Sequence, residues 1–263
     1  MLDEAADRRT LVVIPTYDEA ENIATVVART RAAVPDAHIL IVDDNSPDGT
    51  GAIADELARD PQIEVLHRVD KAGLGEAYVA AFEWALQRDF DLVVEMDADG
   101  SHPADTLPRM IDAVRGGASA TPPVGLVIGS RWTKGGAVEN WPLSRQLLSR
   151  GGNVYARAAL GVGIKDVTGG YRVYRADVLR AIDLSTVDSH GYCFQIDLTL
   201  RTLDLGYGIV EVPIVFRERE FGESKMSRAI VIEAMTKVTR WGIRRRFRQM
   251  VRPSRSRHPN LSV

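Results

Sequence analysis

The sequence predicts an α/β protein in which one domain is built on a mostly parallel sheet flanked by helices. Short apolar runs alternate with longer helical patterns, and polar residues follow the apolar runs, as in sheets of parallel strands. The 263 residues are 45% hydrophobic and 26% charged, which is typical of a globular protein. A chain of this length buries roughly 70–75% of the surface that its unfolded form exposes, so one core is enough.

Five buried strands and four helices are predicted in the first half of the chain. The strands are residues 10–15, 38–43, 63–68, 92–96 and 124–130, which are rich in Val, Ile and Leu. The helices between them are residues 19–34, 50–59, 73–88 and 104–115. Asp18 and Glu21 have the spacing of a capping box for the first helix.

The second half of the chain has a less regular pattern. A Gly-rich loop begins near residue 133 and leads into further predicted elements. These are a helix over residues 143–160, a loop over 165–170, a strand over 171–174, a helix near 194–205 and a strand pair around 209–216. We therefore expect one domain over residues 1–230, followed by an amphipathic basic helix over 231–252 and a disordered tail over 253–263.

Carboxylates follow three of the predicted strands, at the edge where open parallel sheets bind their ligands. Asp97 and Asp99 lie one residue apart after a buried strand, and two such carboxylates are costly unless a cation neutralises them. Oxygen ligands of this kind suit Mg²⁺ or Mn²⁺ with a bound diphosphate. An isolated Asp-x-Asp is more often a turn. Asp44 and Tyr17 are expected at the same edge, where they could contact a nucleobase. A nucleobase and a diphosphate belong to one nucleotide ligand, so these two residues favour the metal site over the turn.

Five motifs, in order along the chain, resemble those of family 2 glycosyltransferases with the GT-A fold, whose sheet is Rossmann-like. They are Val-Ile-Pro-Thr-Tyr-Asp-Glu (13–19), Val-Asp-Asp-Asn-Ser-Pro-Asp-Gly-Thr (42–50), Lys-Ala-Gly-Leu-Gly-Glu-Ala (71–77), Asp-Ala-Asp-Gly-Ser-His-Pro (97–103) and Gly-Glu-Ser-Lys (222–225). Within that family, the sequence is most similar to the dolichyl-phosphate and polyprenyl-phosphate mannose synthases. The resemblance covers about residues 10–230, with a donor half over 10–132 and an acceptor half over 133–230.

The resemblance implies a donor, an acceptor and a set of site residues. The donor would be GDP-mannose, the acceptor a polyprenyl monophosphate, and the cofactor Mg²⁺ or Mn²⁺ bound by Asp97 and Asp99. The residues that would bind the donor are Pro15, Tyr17, Glu19, Val42, Asp44, Asp97, Ala98, Asp99, Arg131, Arg219 and Lys225. Asp99, Arg219, Lys225 and Asp197 are the expected catalytic residues. Many relatives carry a Gln as a further metal ligand where this chain has Ser101.

A phosphate acceptor changes what the site must supply. A phosphate monoester has a second pKa near 6, so it reaches the enzyme already deprotonated and needs cations rather than a general base. Arg217, Arg219 and Lys225 lie close together around Gly222, which favours a mobile loop that closes over the ligands. Glu residues alternate with these basic residues, so the alternative is that the segment is a solvated run of charges without a binding role.

Several polar residues of the acceptor half have two readings. Asp197 follows Gln195 at about the position of a catalytic base in relatives with hydroxyl acceptors, and it is either a direct participant or a structural carboxylate. Asp166 has the same two readings. His102 is either a metal ligand or, more simply, a histidine that supports the loop next to Pro103.

The C-terminus is electrostatically separate from the rest of the chain. Residues 234–263 hold nine Lys and Arg and no Asp or Glu, which leaves 24 basic and 36 acidic residues, a net charge of −12, in residues 1–233. Val231, Ala234, Met235, Val238 and Trp241 have helical spacing, so a basic amphipathic helix could lie on anionic lipids. The alternative is that this apolar stripe packs on the protein. Nucleic-acid binding is disfavoured by the acidic body and the absence of a known motif.

The cellular expectation follows from the acceptor and the lone cysteine. Cys193 permits no internal disulfide, residues 1–10 contain no apolar signal segment, and no run of 18 apolar residues occurs. We therefore expect a cytoplasmic enzyme bound peripherally to the cytoplasmic face of a membrane, by its own tail or by a separate anchoring protein. The alternatives are transfer from UDP-glucose or another sugar nucleotide and, in a different class, a non-catalytic nucleotide-binding scaffold.

Overall fold

A computed structural model describes residues 9–70, 73–187, 192–218 and 228–251. The strands in these residues are β1 Thr10–Thr16, β2 His38–Asp43, β3 Ile63–His67, β4 Leu92–Glu95, β5 Val124–Ser130, β6 Ala137–Glu139, β7 Arg172–Arg175, β8 Gly208–Pro213 and β9 Val215–Arg217. The helices are α1 Ile23–Ala33, α2 Thr50–Leu57, α3 Leu74–Leu86, α4 Leu107–Gly116, α5 Leu143–Leu160, α6 Ala176–Ala181, α7 Tyr192–Asp204 and α8 Arg228–Val251. Single turns of 3₁₀ helix span Ala104–Thr106, Gly117–Ser119 and Leu184–Thr186.

Seven strands form one sheet in the order β3-β2-β1-β4-β7-β5-β8. All neighbours pair in parallel except β7, which is antiparallel to both β4 and β5. The carboxyl ends of the other six strands therefore meet at one edge. A small second sheet pairs β6 with β9 in parallel. The predicted fold class, a mostly parallel sheet within an α/β domain, is confirmed.

Helices cover both faces of the sheet and bury two apolar clusters. One cluster packs α3, α6 and α7, the C-terminal end of α5, and Val238 and Trp241 of α8 against the sheet. The other packs α1 and α4 on the opposite face. Strands β1 and β2 are buried along nearly their whole length, as expected for strands covered by helices on both sides.

The predicted start of the first helix is wrong. Helix α1 begins at Ile23 rather than at residue 19, and Asn22 at its N-cap makes no side-chain capping bond. The reason is that the backbone before it is held elsewhere, because Glu19 N donates to Thr50 Oγ1 at 3.0 Å and Ala20 N donates to Asp48 Oδ2 at 3.0 Å. Asp18 has a positive φ of 59° and does not cap the helix.

Two strands lie around residues 209–216, as predicted, but they do not pair with each other. Only Ile214 separates β8 from β9, so the chain has no turn in which to reverse. Strand β8 joins the large sheet beside β5, while β9 continues past the edge and pairs with β6. Ile214 links the two sheets, since its N donates to Ser130 O at 3.1 Å and its carbonyl accepts from Ala137 N at 2.9 Å.

Part of helix α8 packs on α5. Val238 is buried, and a Cβ atom at Gly242 would lie 2.3 Å from the carbonyl oxygen of Ala159, so only glycine permits this crossing. The apolar stripe of α8 therefore packs partly on the protein, whereas Met235, Ile243 and Phe247 remain exposed. Among the described residues, no helix is long and apolar enough to cross a bilayer.

Candidate active site

The loops after β1, β2, β4 and β5 converge at the carboxyl edge of the sheet, and the segment before the antiparallel β7 reaches the same edge. These loops hold most of the residues that the sequence predicts for the donor site. Pro15 and Val42 are register partners on β1 and β2. Parallel pairing thus explains why motifs far apart in the sequence meet in one place.

Asp44 is buried and already has a cationic partner. Its Oδ1 accepts from Arg68 Nη1 at 2.7 Å, and its backbone N donates to Thr16 O at 3.1 Å. Arg68 also lies 3.7 Å from the Glu76 carboxylate. The sequence pattern does not identify Arg68, although its position at the end of the third predicted strand could have done so. A donor base that uses Asp44 would share this carboxylate with Arg68.

The turn between β2 and α2 is fixed by its own carboxylates. Asp43 accepts from Thr16 Oγ1 at 3.1 Å and from Ser46 Oγ at 2.6 Å. Burial raises the pKa of Asp48, but hydrogen bonds from Thr50 and Ala20 outweigh it and leave that pKa below its ordinary value. These hydrogen bonds hold the turn in place next to Tyr17 and Glu19.

The segment Asp97-Ala98-Asp99 leaves β4 in a tight turn. Ala98 is buried, both carboxylates are partly exposed, and Gly100 has a φ of 74°, which favours glycine. Ser101 N donates to Asp99 Oδ1 at 3.0 Å. The turn therefore presents two carboxylates at the edge of the sheet from a backbone that is held in place.

His102 supports this turn from behind. Its Nδ1 accepts from Asp97 N at 3.0 Å, which places the ring proton on Nε2, 3.6 Å from Asp97 Oδ2. The buried ring stacks on Tyr171 with centroids 4.8 Å apart and meets Phe216 edge-on. Of the two readings, the geometry favours the supporting histidine.

The residues of this turn fit a divalent cation. The described residues contain no cluster of three or more His, Cys, Asp or Glu that could hold a metal, so Asp97 and Asp99 would leave coordination positions to a diphosphate and water. The Oγ atom of Ser101 is buried without a hydrogen-bond partner in the described part of the chain. It lies two residues after Asp99, and a bound water or ion would satisfy it.

Arg131 and Asp166 form a buried pair at the end of β5. Arg131 donates to the two carboxylate oxygens at 2.8 and 2.7 Å from its side chain and at 2.9 Å from its backbone N. Burial raises the pKa of Asp166, but the charge and hydrogen bonds of Arg131 outweigh it and hold that pKa below its ordinary value. Trp141 and Phe216 surround the guanidinium. Asp166 thus fixes the position of Arg131, which supports the structural reading of this carboxylate.

Another buried carboxylate, Glu95, lies two residues before Asp97. It accepts from Gln195 Nε2 at 2.8 Å, and burial raises its pKa to about 8, despite the nearby charge of Arg172 and the bond from Gln195. Arg172 is fully buried and donates to Gln195 O and Thr199 Oγ1, both at 2.9 Å. Sequence reasoning missed this network, although a Glu inside the apolar run Leu-Val-Val-Glu-Met was a visible signal.

Asp197 pairs with Arg201 one turn further along α7, at 2.9 Å. Arg201 in turn donates to Thr186 Oγ1 at 2.7 Å and to Thr186 O at 2.9 Å. These contacts tie α7 to the preceding loop. The predicted catalytic role of Asp197 stays a prediction.

The predicted phosphate-binding residues Arg219 and Lys225 lie outside the described residues, as does Gly222. Arg217, at the end of β9, is described. Its guanidinium is largely exposed and lies 2.9 Å from the Glu139 carboxylate. The predicted Arg219 follows two residues after Arg217 in the sequence.

Comparison with known proteins gives a consistent assignment. The family model described as "Glycosyl transferase family 2" matches residues 11–183. A polyprenol monophosphomannose synthase of Mycolicibacterium smegmatis is 58% identical over 242 residues, 91% of this chain and 89% of the relative. An undecaprenyl-phosphate mannosyltransferase of Micrococcus luteus is 54% identical over 240 residues, 91% of this chain and 96% of the relative.

A solved structure shares the fold at low sequence identity. It is glucosyl-3-phosphoglycerate synthase from Mycobacterium tuberculosis in complex with Mn²⁺, UDP-glucose and glycerol 3-phosphate. The TM-score is 0.62 at 19% identity, and the match covers 95% of this chain and 82% of that structure.

Proposed function

The chain belongs to glycosyltransferase family 2, and from that premise we propose that it transfers mannose from GDP-mannose to a polyprenyl monophosphate with inversion at the anomeric carbon. That it is a glycosyltransferase follows from the family and from relatives named as mannosyltransferases. The names of the two bacterial relatives support mannose as the sugar and a polyprenyl phosphate as the acceptor. The observation that carries the proposal is the Asp97 and Asp99 turn at the carboxyl edge, in a chain so similar to those relatives.

Asp97 and Asp99 would hold a Mg²⁺ or Mn²⁺ ion, and Mn²⁺ in the complex of the glucosyl-3-phosphoglycerate synthase supports this expectation. A bound ion would supply charge neutralisation at the diphosphate leaving group. Pro15, Tyr17, Glu19, Val42 and Asp44 would bind the guanosine. Arg131, Arg219 and Lys225 would contact the phosphates, where Arg suits bidentate contacts and Lys a point charge.

The reaction needs one displacement. An oxygen of the acceptor phosphate attacks the anomeric carbon of mannose on the side opposite the diphosphate, the bond from that carbon to the diphosphate oxygen breaks, and GDP leaves. Attack from the opposite side inverts the anomeric configuration. The acceptor oxygen carries no proton at neutral pH, so the residues must orient the two phosphates and stabilise negative charge.

The test is a panel of sugar nucleotides with polyprenyl phosphate in detergent and Mg²⁺ or Mn²⁺. We expect lipid-linked mannose from GDP-mannose, and NMR of the product should show the anomeric configuration opposite to that of the donor. Turnover with UDP-glucose but none with GDP-mannose would replace the donor. No turnover with any donor, despite donor binding, would favour the non-catalytic scaffold.

An Asp99→Asn variant tests the site itself. We expect kcat/KM to fall by about 10²–10³ or more, because a ligand that stabilises charge on the leaving diphosphate is lost. The matched control is Asp105→Asn, which removes an exposed carboxylate six residues further along the chain. Unchanged activity in Asp99→Asn would rule out this turn as the metal and diphosphate site.

We also propose peripheral binding at the cytoplasmic face of a membrane, because the acceptor carries a long apolar chain. The exposed Ile243 and Phe247 of α8 and the nearby exposed Arg240 and Arg244 support it. The full chain should sediment with anionic vesicles at low salt and less at high salt. No sedimentation with anionic or neutral vesicles would instead favour recruitment by a membrane protein.

A further inference from the structure

A cavity of about 350 Å³ opens between helix α5 and the loop after β5, within the size range of small-molecule sites. It is lined by Arg131, Trp132, Thr133, Gly136, Arg150, Asn153, Val154, Arg157 and Lys165. Four of these side chains are basic and none is acidic. The cavity is therefore suited to an anion, and none of the motifs that predicted the donor site includes Arg150, Arg157 or Lys165.

The basic side chains of this cavity differ in whether a carboxylate neutralises their charge. Arg131 is held by Asp166 behind it. In the part of the chain that the structure describes, no carboxylate lies within ion-pair distance of Arg150, Arg157 or Lys165. Among the described residues, the Lys165 Nζ atom donates only to Thr133 Oγ1, at 3.4 Å.

Arg157 gives independent evidence that a hydrogen-bond acceptor is missing from this cavity. Its Nε–H is buried and has no hydrogen-bond partner among the described residues. A buried charged donor without an acceptor costs free energy, and so does convergence of like charges. A bound anion would remove both costs, because it accepts from Arg157 and Lys165 and neutralises part of the cluster.

The same face of α5 is apolar next to the cations. Leu143, Leu147 and Val154 are 77%, 70% and 61% exposed, and their spacing places them on one side of the helix, together with Arg150 and Arg157. Val154 also lines the cavity. The opening is therefore flanked by a stripe of exposed apolar side chains. A ligand with an anionic head and an apolar chain matches both parts.

The cavity is also close to the candidate active site. Strand β7 lies between β4 and β5, and Glu95 and Ile128 both pair with Arg172. Asp97 and Ser130 each lie two residues further on. Neighbouring strands are about 4.8 Å apart, so the ends of β4 and β5 are separated by about 10 Å. A phosphate that contacts Arg131 would thus lie within reach of a sugar on a diphosphate at Asp97.

We propose that this cavity binds the phosphate head of a lipid, with Arg157, Lys165 and Arg150 as its ligands and the stripe Leu143, Leu147 and Val154 along its apolar chain. Two lipids share this chemistry, the polyprenyl phosphate acceptor and an anionic phospholipid of the bilayer. The acceptor as ligand rests on the proposed function, whereas the phospholipid does not.

The experiment compares the full-length variants Arg150→Gln, Arg157→Gln and Lys165→Gln with Arg109→Gln. Arg109 is an exposed arginine on α4, on the opposite face of the sheet, so it controls for loss of one positive charge. One arm measures KM for polyprenyl phosphate and for GDP-mannose in detergent. The other measures sedimentation with phosphatidylglycerol vesicles without acceptor. Because Arg150 is exposed, its variant provides a test even if the other two fail to fold.

The arms separate the two lipids. If the ligand is the polyprenyl phosphate acceptor, its KM should rise about tenfold while the KM for GDP-mannose stays unchanged. A tenfold rise corresponds to the loss of one charge-assisted hydrogen bond. An unchanged acceptor KM with vesicle binding below that of Arg109→Gln identifies a phospholipid. If neither quantity differs from the Arg109→Gln control, the proposal is wrong. A wild-type enzyme that makes no lipid-linked mannose would contradict the proposed function, yet the vesicle arm could still be read.

Discussion

Two of the buried carboxylates near the candidate active site, Asp166 and Glu95, differ in charge. Asp166 lies beneath the end of β5 with Arg131 bound to both of its oxygens, and its pKa is lowered. Glu95 lies at the end of β4 with one bond from an amide, and its pKa is raised to about 8. Both are fully buried. Direct contact with a guanidinium, rather than depth in the protein, therefore decides which of these two carboxylates stays ionised.

The largest effect on stability is expected from Arg131→Met. It leaves the Asp166 charge buried without its partner, and loss of one member of a buried pair typically costs about 3–5 kcal/mol of unfolding free energy. Urea denaturation would measure the loss.

The double variant Arg131→Met with Asp166→Asn is the matched control. It removes the uncompensated charge, so it should recover part of the lost stability. A double variant that is less stable than Arg131→Met would contradict the view that the ionised Asp166 is the cause.

The pH dependence of stability should have opposite signs at the two carboxylates. For Glu95 the folded protein keeps a proton that the unfolded chain loses above about 4.5, so stability falls as pH rises from about 4.5 to about 8. The slope is at most about 1.4 kcal/mol per pH unit. For Asp166 the folded pKa lies below 3.8, so its contribution is present above that pH and is lost as pH falls further.

A Glu95→Gln variant shows which part of the pH dependence of stability comes from Glu95. The variant should lose the fall in stability between pH 5 and 8, with little change at low pH, because the amide resembles the protonated acid. Glu95 Oε1 and Gln195 Oε1 are buried and have no hydrogen-bond partner among the described residues. This agrees with a proton on Glu95, because a protonated carboxyl group carries a donor. Urea denaturation of both proteins at several pH values is the measurement. Identical slopes would show that Glu95 is ionised in the folded protein.

The sequence predicts the residues at the carboxyl edge of the sheet better than the buried hydrogen-bond network of Glu95. Strands β2 and β5 and helix α5 have the predicted bounds, because their apolar patterns and their neighbouring turns are local signals. The family motifs place Asp44, Asp97 and Asp99 on one edge, because parallel strands bring their carboxyl ends together. The start of α1, the pairing of β9 and the contacts of Glu95 depend on residues about 30 to 100 positions away, and no local pattern contains them.

The smallest effect is expected at a third carboxylate, Asp197, which pairs with Arg201 but is partly exposed. Solvent weakens such a pair, so Asp197→Asn should cost only about 0.3–0.5 kcal/mol of stability. Activity decides between its two readings. A phosphate acceptor needs no proton removed, so we expect kcat for polyprenyl phosphate to change by less than about tenfold, whereas loss of a general base typically costs about 10²–10⁴. A fall of that size, steepest at low pH where a base is protonated, would make Asp197 a catalytic residue and would argue against an acceptor that arrives already deprotonated.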